Sequence, residues 1–375
     1  MLHASTAGKS SNSKSSGDDR ISDLPDDILH HVLGFLRADQ AVRTCLLARR
    51  WRHLWKLMRC LRINDMGSWR KSTDVFRNRF INCLLLFRDP GSTLDEVEIV
   101  YNYSEEYRHF NNGGPPWVDI WIQHALSSQA QVLTVKLPER AYFFLCLYGP
   151  LISQYLRRLG ISDVTLKSSF LDFSSCSELV DLNIKDCTLD ARRILSQSLK
   201  HLSISGCAFA PNGSRIRISV PNLVSLQLIK IAGCCGNDGH NDGCILFEGL
   251  SHAKNLELIQ TYPQMFIFRR DLTWCPIFSN LKTLLMNQWC VQPDFSGLVC
   301  MLEHSPVLEN LTLQLCKQGI RKCASEVEEN PGLLEKPPTI SGYLKIIKVK
   351  CEVICKVLNF LSTFGLEIAI QRTNG

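Results

Sequence analysis

ISDLPDDILHHVLGFLRADQAVRTCLLARRWRHLW, Ile21 to Trp55, is the stretch whose reading decides the rest of this chain. Pro25 suits an opening helical position, because its ring fixes φ and its missing N–H is not needed there, and Asp26 and Asp27 complement the dipole of the first turn. Leu24, Ile28, Val32 and Leu36 recur every four residues with Leu29 and Leu33 beside them, a wide apolar stripe that Gly34 ends. Asp39 is expected to cap a second helix, Gln40 to Leu47, with Val42, Cys45 and Leu46 on one side. A third helix is expected to place Trp51, Leu54, Trp55 and Met58 on one face while Arg49, Arg52, His53 and Lys56 point elsewhere. Roughly 45 residues seldom supply a self-sufficient core, so such a unit is expected to lean on a partner.

Downstream, Asp74 to Phe87 reads as one more helix, with Phe76, Phe80, Leu84 and Phe87 on one side, placed to cover the open end of a repeat array. From Leu94 a template recurs: apolar, two residues, apolar, one residue, apolar. It fits ten times, starting at Leu94, Ala130, Leu156, Leu179, Leu199, Leu223, Ala253, Leu281, Leu308 and Leu344, with separations of 36, 26, 23, 20, 24, 30, 28, 27 and 36 residues. Cys187, Cys207 and Cys316 each come three residues after the last apolar position, where such a repeat turns away from its strand and wants a small buried side chain. The expected architecture is α/β: a three-helix module, then a leucine-rich-repeat solenoid with a curved parallel sheet, the rival being an irregular α/β domain with Leu-rich strands.

The first stretch resembles an F-box. Asp-Leu-Pro-Asp-Asp, an apolar helix, Ala-Val-Arg-Thr, Arg-Arg-Trp and a final Trp form the pattern common in plant F-box/leucine-rich-repeat proteins. That resemblance implies docking onto the Skp-family adaptor of a cullin-RING (SCF) ubiquitin ligase. By the family's pattern Leu24, Pro25, Ile28, Leu29 and Val32 form the first adaptor-facing surface, and Val42, Cys45, Leu46, Arg49, Trp51 and Trp55 complete core and interface, with Trp51 and Trp55 as anchors. The segment Tyr343 to Thr373 is expected to form a strand (Leu344 to Cys351), a helix with Val353, Val357, Phe360 and Leu361, and a last strand (Leu366 to Ile370). It is similar to the end segment of these proteins, related to but shorter than their FBD module, and is expected to cap the last repeat. The expected domains are a disordered tail (1–19), the F-box (20–62), a helical linker or cap (63–93), repeats (94–340) and the FBD-like cap (341–375).

The target, an unknown protein, is expected on the sheet face, where residues flanking each buried pair point outward. The candidates are Asp181, Asn183 and Lys185; His201, Ser203 and Ser205; Ser225 and Gln227; Thr283 and Asn287; Asn310, Thr312 and Gln314. Catalysis lacks support: the sequence carries no Gly-rich phosphate loop, Gly-x-Ser-x-Gly elbow or His-Glu-x-x-His, so no enzyme and no cofactor is expected.

Composition narrows the other possibilities. Seventeen Cys without short regular spacing read as reduced, buried thiols, and the Ser- and Lys-rich first nineteen residues lack a signal peptide's apolar core. The longest apolar run, Ala141 to Tyr148, has eight residues where a spanning helix needs about 20, so no membrane is expected, and the expected location is nucleus and/or cytoplasm. Between Arg37 and Arg62, eight Lys or Arg and one acid give +7 against +6 for the whole chain, leaving −1 elsewhere. A basic third helix admits DNA binding as an alternative, and a repeat scaffold without adaptor binding is the other. The two Trp on that helix weigh against nucleic acid, and steering toward an acidic partner explains the same charge.

Three stretches have loop composition: Tyr103 to Trp117, Gly233 to Gly243 and Lys317 to Pro338. Cys234, Cys235, His240 and Cys244 are zinc-ligand types, but adjacent Cys chelate one ion awkwardly. Asp238, His240 and Asp242 fail as a calcium loop because Gly249 stands at the twelfth position, so no metal is expected. The Asn-x-Ser/Thr sequences at Asn102, Asn212 and Asn310 are expected to stay unmodified.

Overall fold

All ten template matches become strands, and two further strands extend the ladder at either end. The computed structural model describes residues 21, 24–64, 74–101, 117–137, 146–147, 149–209, 216–231, 250–260, 275–287, 296–315, 341–351, 361 and 368–372. In chain order the strands are β1 (Cys60–Asn64), β2 (Glu96–Val100), β3 (Val132–Lys136), β4 (Cys146–Leu147), β5 (Arg158–Ser162), β6 (Thr165–Lys167), β7 (Asp181–Lys185), β8 (Thr188–Asp190) and β9 (Arg193–Leu195). The second half of the chain adds β10 (His201–Ser205), β11 (Ala208–Phe209), β12 (Arg217–Ser219), β13 (Ser225–Ile229), β14 (Asn255–Ile259), β15 (Thr283–Asn287), β16 (Asn310–Leu315), β17 (Ile346–Cys351) and β18 (Ile368–Arg372).

One twelve-stranded sheet runs β1-β2-β3-β5-β7-β10-β13-β14-β15-β16-β17-β18, each neighbouring pair parallel. Its register sets like on like: Leu182 pairs with Leu202 and Leu202 with Leu226, while Ile184 pairs with Ile204 and Ile204 with Leu228. These inward rows are buried from Leu61 and Ile63 of β1 through Ile347 and Val349 of β17. Each fully buried Leu or Ile contributes roughly 1.5–3 kcal/mol, and no single strand could hide both of its own.

Chain length sets the elements behind the sheet. Strand starts 36 residues apart leave room for a helix, so α3 (Asp74–Leu86) joins β1 to β2 and α4 (Trp117–Ser127) lies between β2 and β3. The tighter central repeats have room only for extended chain, which pairs into the small parallel sheets β11-β8-β6-β4 and β12-β9. A further helix, α5 (Ser296–Glu303), precedes β16.

Several expectations need correction. The ladder begins at Cys60, before Leu94, so α3 is a crossover within the repeats and not an end cover. The buried face of α3 also differs: Ile81, Leu84 and Leu85 enter the core with Arg77 and Asn78, whereas Phe76 and Phe87 are exposed. The last strand runs two residues later than expected and pairs with β17, so it prolongs the sheet as well as ending it. Of the expected C-terminal helix only Leu361 is among the described residues; it is helical and buried. Residues 1–19, most of the three loops, Cys316, Asn102, Asn212 and the Cys234/Cys235/His240/Cys244 group lie outside the described residues.

Four successive repeats turn in the same way. Asp163, Asp186, Gly206 and Lys230, each one residue past its strand, have φ of 64°, 50°, 65° and 56°. Their N–H groups donate to Lys185, Ser205, Ile229 and Ile259 carbonyls at 3.1, 2.8, 2.8 and 2.8 Å, carrying the ladder one rung beyond each strand. Cys187 and Cys207 occupy the next position and are buried as expected, with thiols directed at the Lys185 and Ser205 carbonyls. The hydrogen bond with Cys207 and burial push the Cys187 thiol far above its ordinary range, and both side chains are buried and pack in the repeat core. Asp and Gly tolerate the left-handed region and Lys does not. Lys230→Gly is therefore expected to raise unfolding free energy by up to about 1 kcal/mol in urea titrations. Gly206→Ala should lower it by at least about as much, because its Cβ would sit 2.0 Å from Asp186 Oδ1.

Candidate functional site

The N-terminal module is built from α1 (Asp26–Gly34), α2 (Ala38–Arg43) and three 3₁₀ turns, Thr44–Leu46, Arg49–Arg52 and Leu54–Leu57. Pro25 stands one residue before α1, where it suits an entry to the helix as expected. Asp39 is not a cap. It lies inside the first turn of α2, buried, with Arg37 Nε 3.2 Å from its carboxylate, and the Arg37 N–H donates instead to Gln40 Oε1 at 3.3 Å. The second helix is thus shorter than expected, and the third is two separate 3₁₀ turns. The regular third helix on which the DNA-binding alternative rests is therefore not formed in this stretch.

The module's core is Leu29, Leu33, Ala38, Ala41, Trp51, Leu54 and Met58, continuous with Leu61 and Ile63 of β1. Arg50 fastens the entry to α1: its guanidinium reaches the Asp26 carboxylate at 2.6 Å and the Leu24 carbonyl. Arg88, buried behind α3, donates to the Met58 carbonyl at 2.8 Å and ties the module to the first crossover. Burial pulls its guanidinium down to about 10, still protonated at neutral pH.

Along α1 the apolar stripe splits into two. Leu29 and Leu33 are fully buried, while Ile28, Val32 and Phe35, at i, i+4 and i+7, are 47%, 43% and 65% exposed. After α2, Leu46 and Leu47 are 84% and 72% exposed. Large apolar side chains left in water this way mark an interaction face. Of the residues expected at the adaptor, Pro25, Ile28, Val32, Leu46 and Arg49 are exposed; Leu24, Val42, Cys45 and Trp55 are half-buried; Leu29 and Trp51 are core. Trp51 therefore holds the module together from inside instead of anchoring a partner directly. Phe35, Leu47 and Leu57 were not singled out in the sequence, although the doubled apolars Phe35-Leu36 and Leu46-Leu47 are what an amphipathic helix with a second apolar face would show.

On the sheet face, twelve of the thirteen expected target-binding residues point away from the core and are exposed or half-buried: Asp181, Asn183, Lys185, His201, Ser203, Ser205, Ser225, Gln227, Thr283, Asn310, Thr312 and Gln314. Asn287 is the exception. It is buried at the edge of β15, accepting from the Gln260 N–H at 3.1 Å and donating to the Gln260 carbonyl, so it serves the ladder. Asn255, Glu257 and Lys348, which the same alternation would have found, also face outward and help line a cleft of about 260 Å³ across β13 to β17. Within it Gln227 donates to Glu257 at 2.8 Å and Thr283 to Asn255 at 2.6 Å.

Comparison with known proteins agrees with this geometry. Residues 21–63 match the F-box domain. A protein of Arabidopsis thaliana named as an F-box/LRR-repeat protein is 31% identical over 192 residues, covering 51% of this chain and 37% of its own length. The F-box/FBD/LRR-repeat protein At5g22660 of the same plant is 28% identical over 365 residues, covering 80% and 77%. The MEIOTIC F-BOX protein MOF of Oryza sativa subsp. japonica is 26% identical over 359 residues, covering 80% and 72%. The chain spans little more than a third of the first two Arabidopsis relatives it matches, 37% and 36%. An F-box followed by a leucine-rich-repeat solenoid defines the class. The chain carries an F-box domain and is similar to plant F-box/LRR-repeat proteins.

Trp51→Ala is expected to cost about 3–5 kcal/mol of stability, as for other buried aromatics. Thermal unfolding should show this with no partner present, whereas an external anchor would leave the melting temperature of the isolated chain unchanged.

Proposed function

We propose that this chain is a substrate-recognition subunit of an SCF-type ubiquitin ligase. The apolar row Ile28, Val32 and Phe35 beside a separately buried Leu29/Leu33 core carries the proposal: the module is folded and still presents a greasy face. A Skp-family adaptor covers that face and links the chain to the cullin-RING assembly, and the repeat sheet holds the target protein. The role is non-catalytic. Tethering raises the target's effective concentration at the transfer site, and the chemistry stays with other subunits. Pro25 and Arg49 belong to the same docking surface, with Leu24 and Trp55 at its edge; Leu29 and Trp51 act through the core beneath. The polar sheet face with its Gln227–Glu257 and Asn255–Thr283 pairs supports a protein target over an apolar small molecule. Reduced thiols suit the nucleus and/or cytoplasm as the place of action. Among the described residues no helix is long and apolar enough to cross a membrane.

Because Ile28 and Val32 are exposed, Ile28→Asp/Val32→Asp should leave thermal stability unchanged and weaken retention by the purified Skp adaptor at least about thirtyfold, the equivalent of 2 kcal/mol. Undiminished retention in the double variant overturns this docking surface, and no retention of the unaltered chain favours a repeat scaffold outside the ligase.

A further inference from the structure

We propose that Cys275, Cys300 and His304 form a zinc site that staples the segment before β15 to the end of α5. Their ligand atoms all lie within 4.8 Å of one another. Cys300 and His304 stand four residues apart at the C-terminal end of α5, so their side chains overlie one another, with Cys300 Sγ 3.7 Å from His304 Nδ1. Tetrahedral zinc, with bonds of ~2.3 Å to sulfur and ~2.0–2.1 Å to nitrogen, sets donor atoms about 3.5–3.8 Å apart. One edge of that tetrahedron is thus already formed, and the widest edge needs to close by about an ångström. Cys275 arrives from a different part of the chain, and three residues on the Phe278 N–H donates to the His304 carbonyl at 2.8 Å, which joins its segment to the end of α5.

The donor set suits the metal. Two thiolates and an imidazole are borderline-soft ligands that favour zinc over calcium or magnesium, and three protein ligands leave a fourth position for water or an incoming donor. Cys300 is buried and the other two are half-buried, which shields the ion on one side and leaves an approach on the other. Binding releases the two thiol protons to solvent. His304 Nδ1, which carries a proton while it donates to the Cys300 carbonyl at 2.8 Å, releases that proton to solvent and binds the metal, and the neutral ring carries its proton on Nε2, taken from solvent where it was not already there. In the sequence, Cys-x-x-x-His has ligand spacing on a helix, but Cys275 lies 25 residues earlier and only the stacking of repeats brings it close.

The test titrates the reduced, metal-free full-length chain with Zn²⁺ and, separately, with Co²⁺ as a spectroscopic reporter. The expected results are thiolate-to-cobalt charge-transfer absorption that Zn²⁺ displaces, and zinc-dependent protection of Cys275 and Cys300 from alkylation, read peptide by peptide in the unaltered chain. Cys275→Ser and Cys300→Ser should each abolish the absorption, and Cys235→Ser should retain it. Absorption persisting in both of the former variants assigns the ion to other thiols. Equal alkylation of Cys275 and Cys300 with and without Zn²⁺ reduces the cluster to hydrogen-bonded packing; either result overturns the proposal.

Discussion

The structure depends on one constraint: a five-residue strand with two inward apolar side chains cannot bury them alone, so every repeat needs its neighbour in register. A slip of one residue would turn Leu202 and Ile204 outward and His201, Ser203 and Ser205 into the core. The ladder prevents this by pairing Leu with Leu in one row, and Ile with Ile and then Leu in the other, across β7, β10 and β13. It extends the pairing past each strand through the left-handed residue at its end. Solenoids built this way gain stability from nearest-neighbour interfaces, and their ends are where it runs out.

The N-terminal end is where the two halves of the molecule meet. Because β1 belongs to the twelve-stranded sheet while Met58, Leu61 and Ile63 complete the core of the helical module, the module is the first cap of the solenoid and not a bead on a linker. Its inner residues, Leu29, Leu33 and Trp51, are spent on that junction. The outer residues, Ile28, Val32, Phe35 and Leu46, remain exposed. An adaptor on that face would be held in a fixed relation to the sheet face, which is the geometric requirement for presenting a target to a distant transfer site.

Burial explains why some elements were legible in the sequence and others were not. Periodicity located all ten repeats because each inward row must be apolar whatever its neighbours are. The same template also fits Met58-Leu61-Ile63, 36 residues before Leu94, and was hidden there by overlap with a motif already assigned to the helical module. The inward side of α3 is not legible in the sequence, because Phe76 and Phe87 are apolar by type and yet face solvent. Which of two possible stripes faces inward is set by the strand beneath, and there Arg77 packs on the Tyr101 ring at 4.1 Å.

The sequence by itself determined the module, the repeat count within its central span, the trailing thiols and the outward polar rows, since all of these are set by local periodicity and side-chain size. Tertiary structure alone decided that Asn287 is structural, that Trp51 lies inside, that β1 and β18 lengthen the sheet, and that Cys275 meets Cys300 and His304. Each of these is a contact between residues distant in the chain, fixed by how repeats of unequal length stack, and no window along the sequence contains both partners.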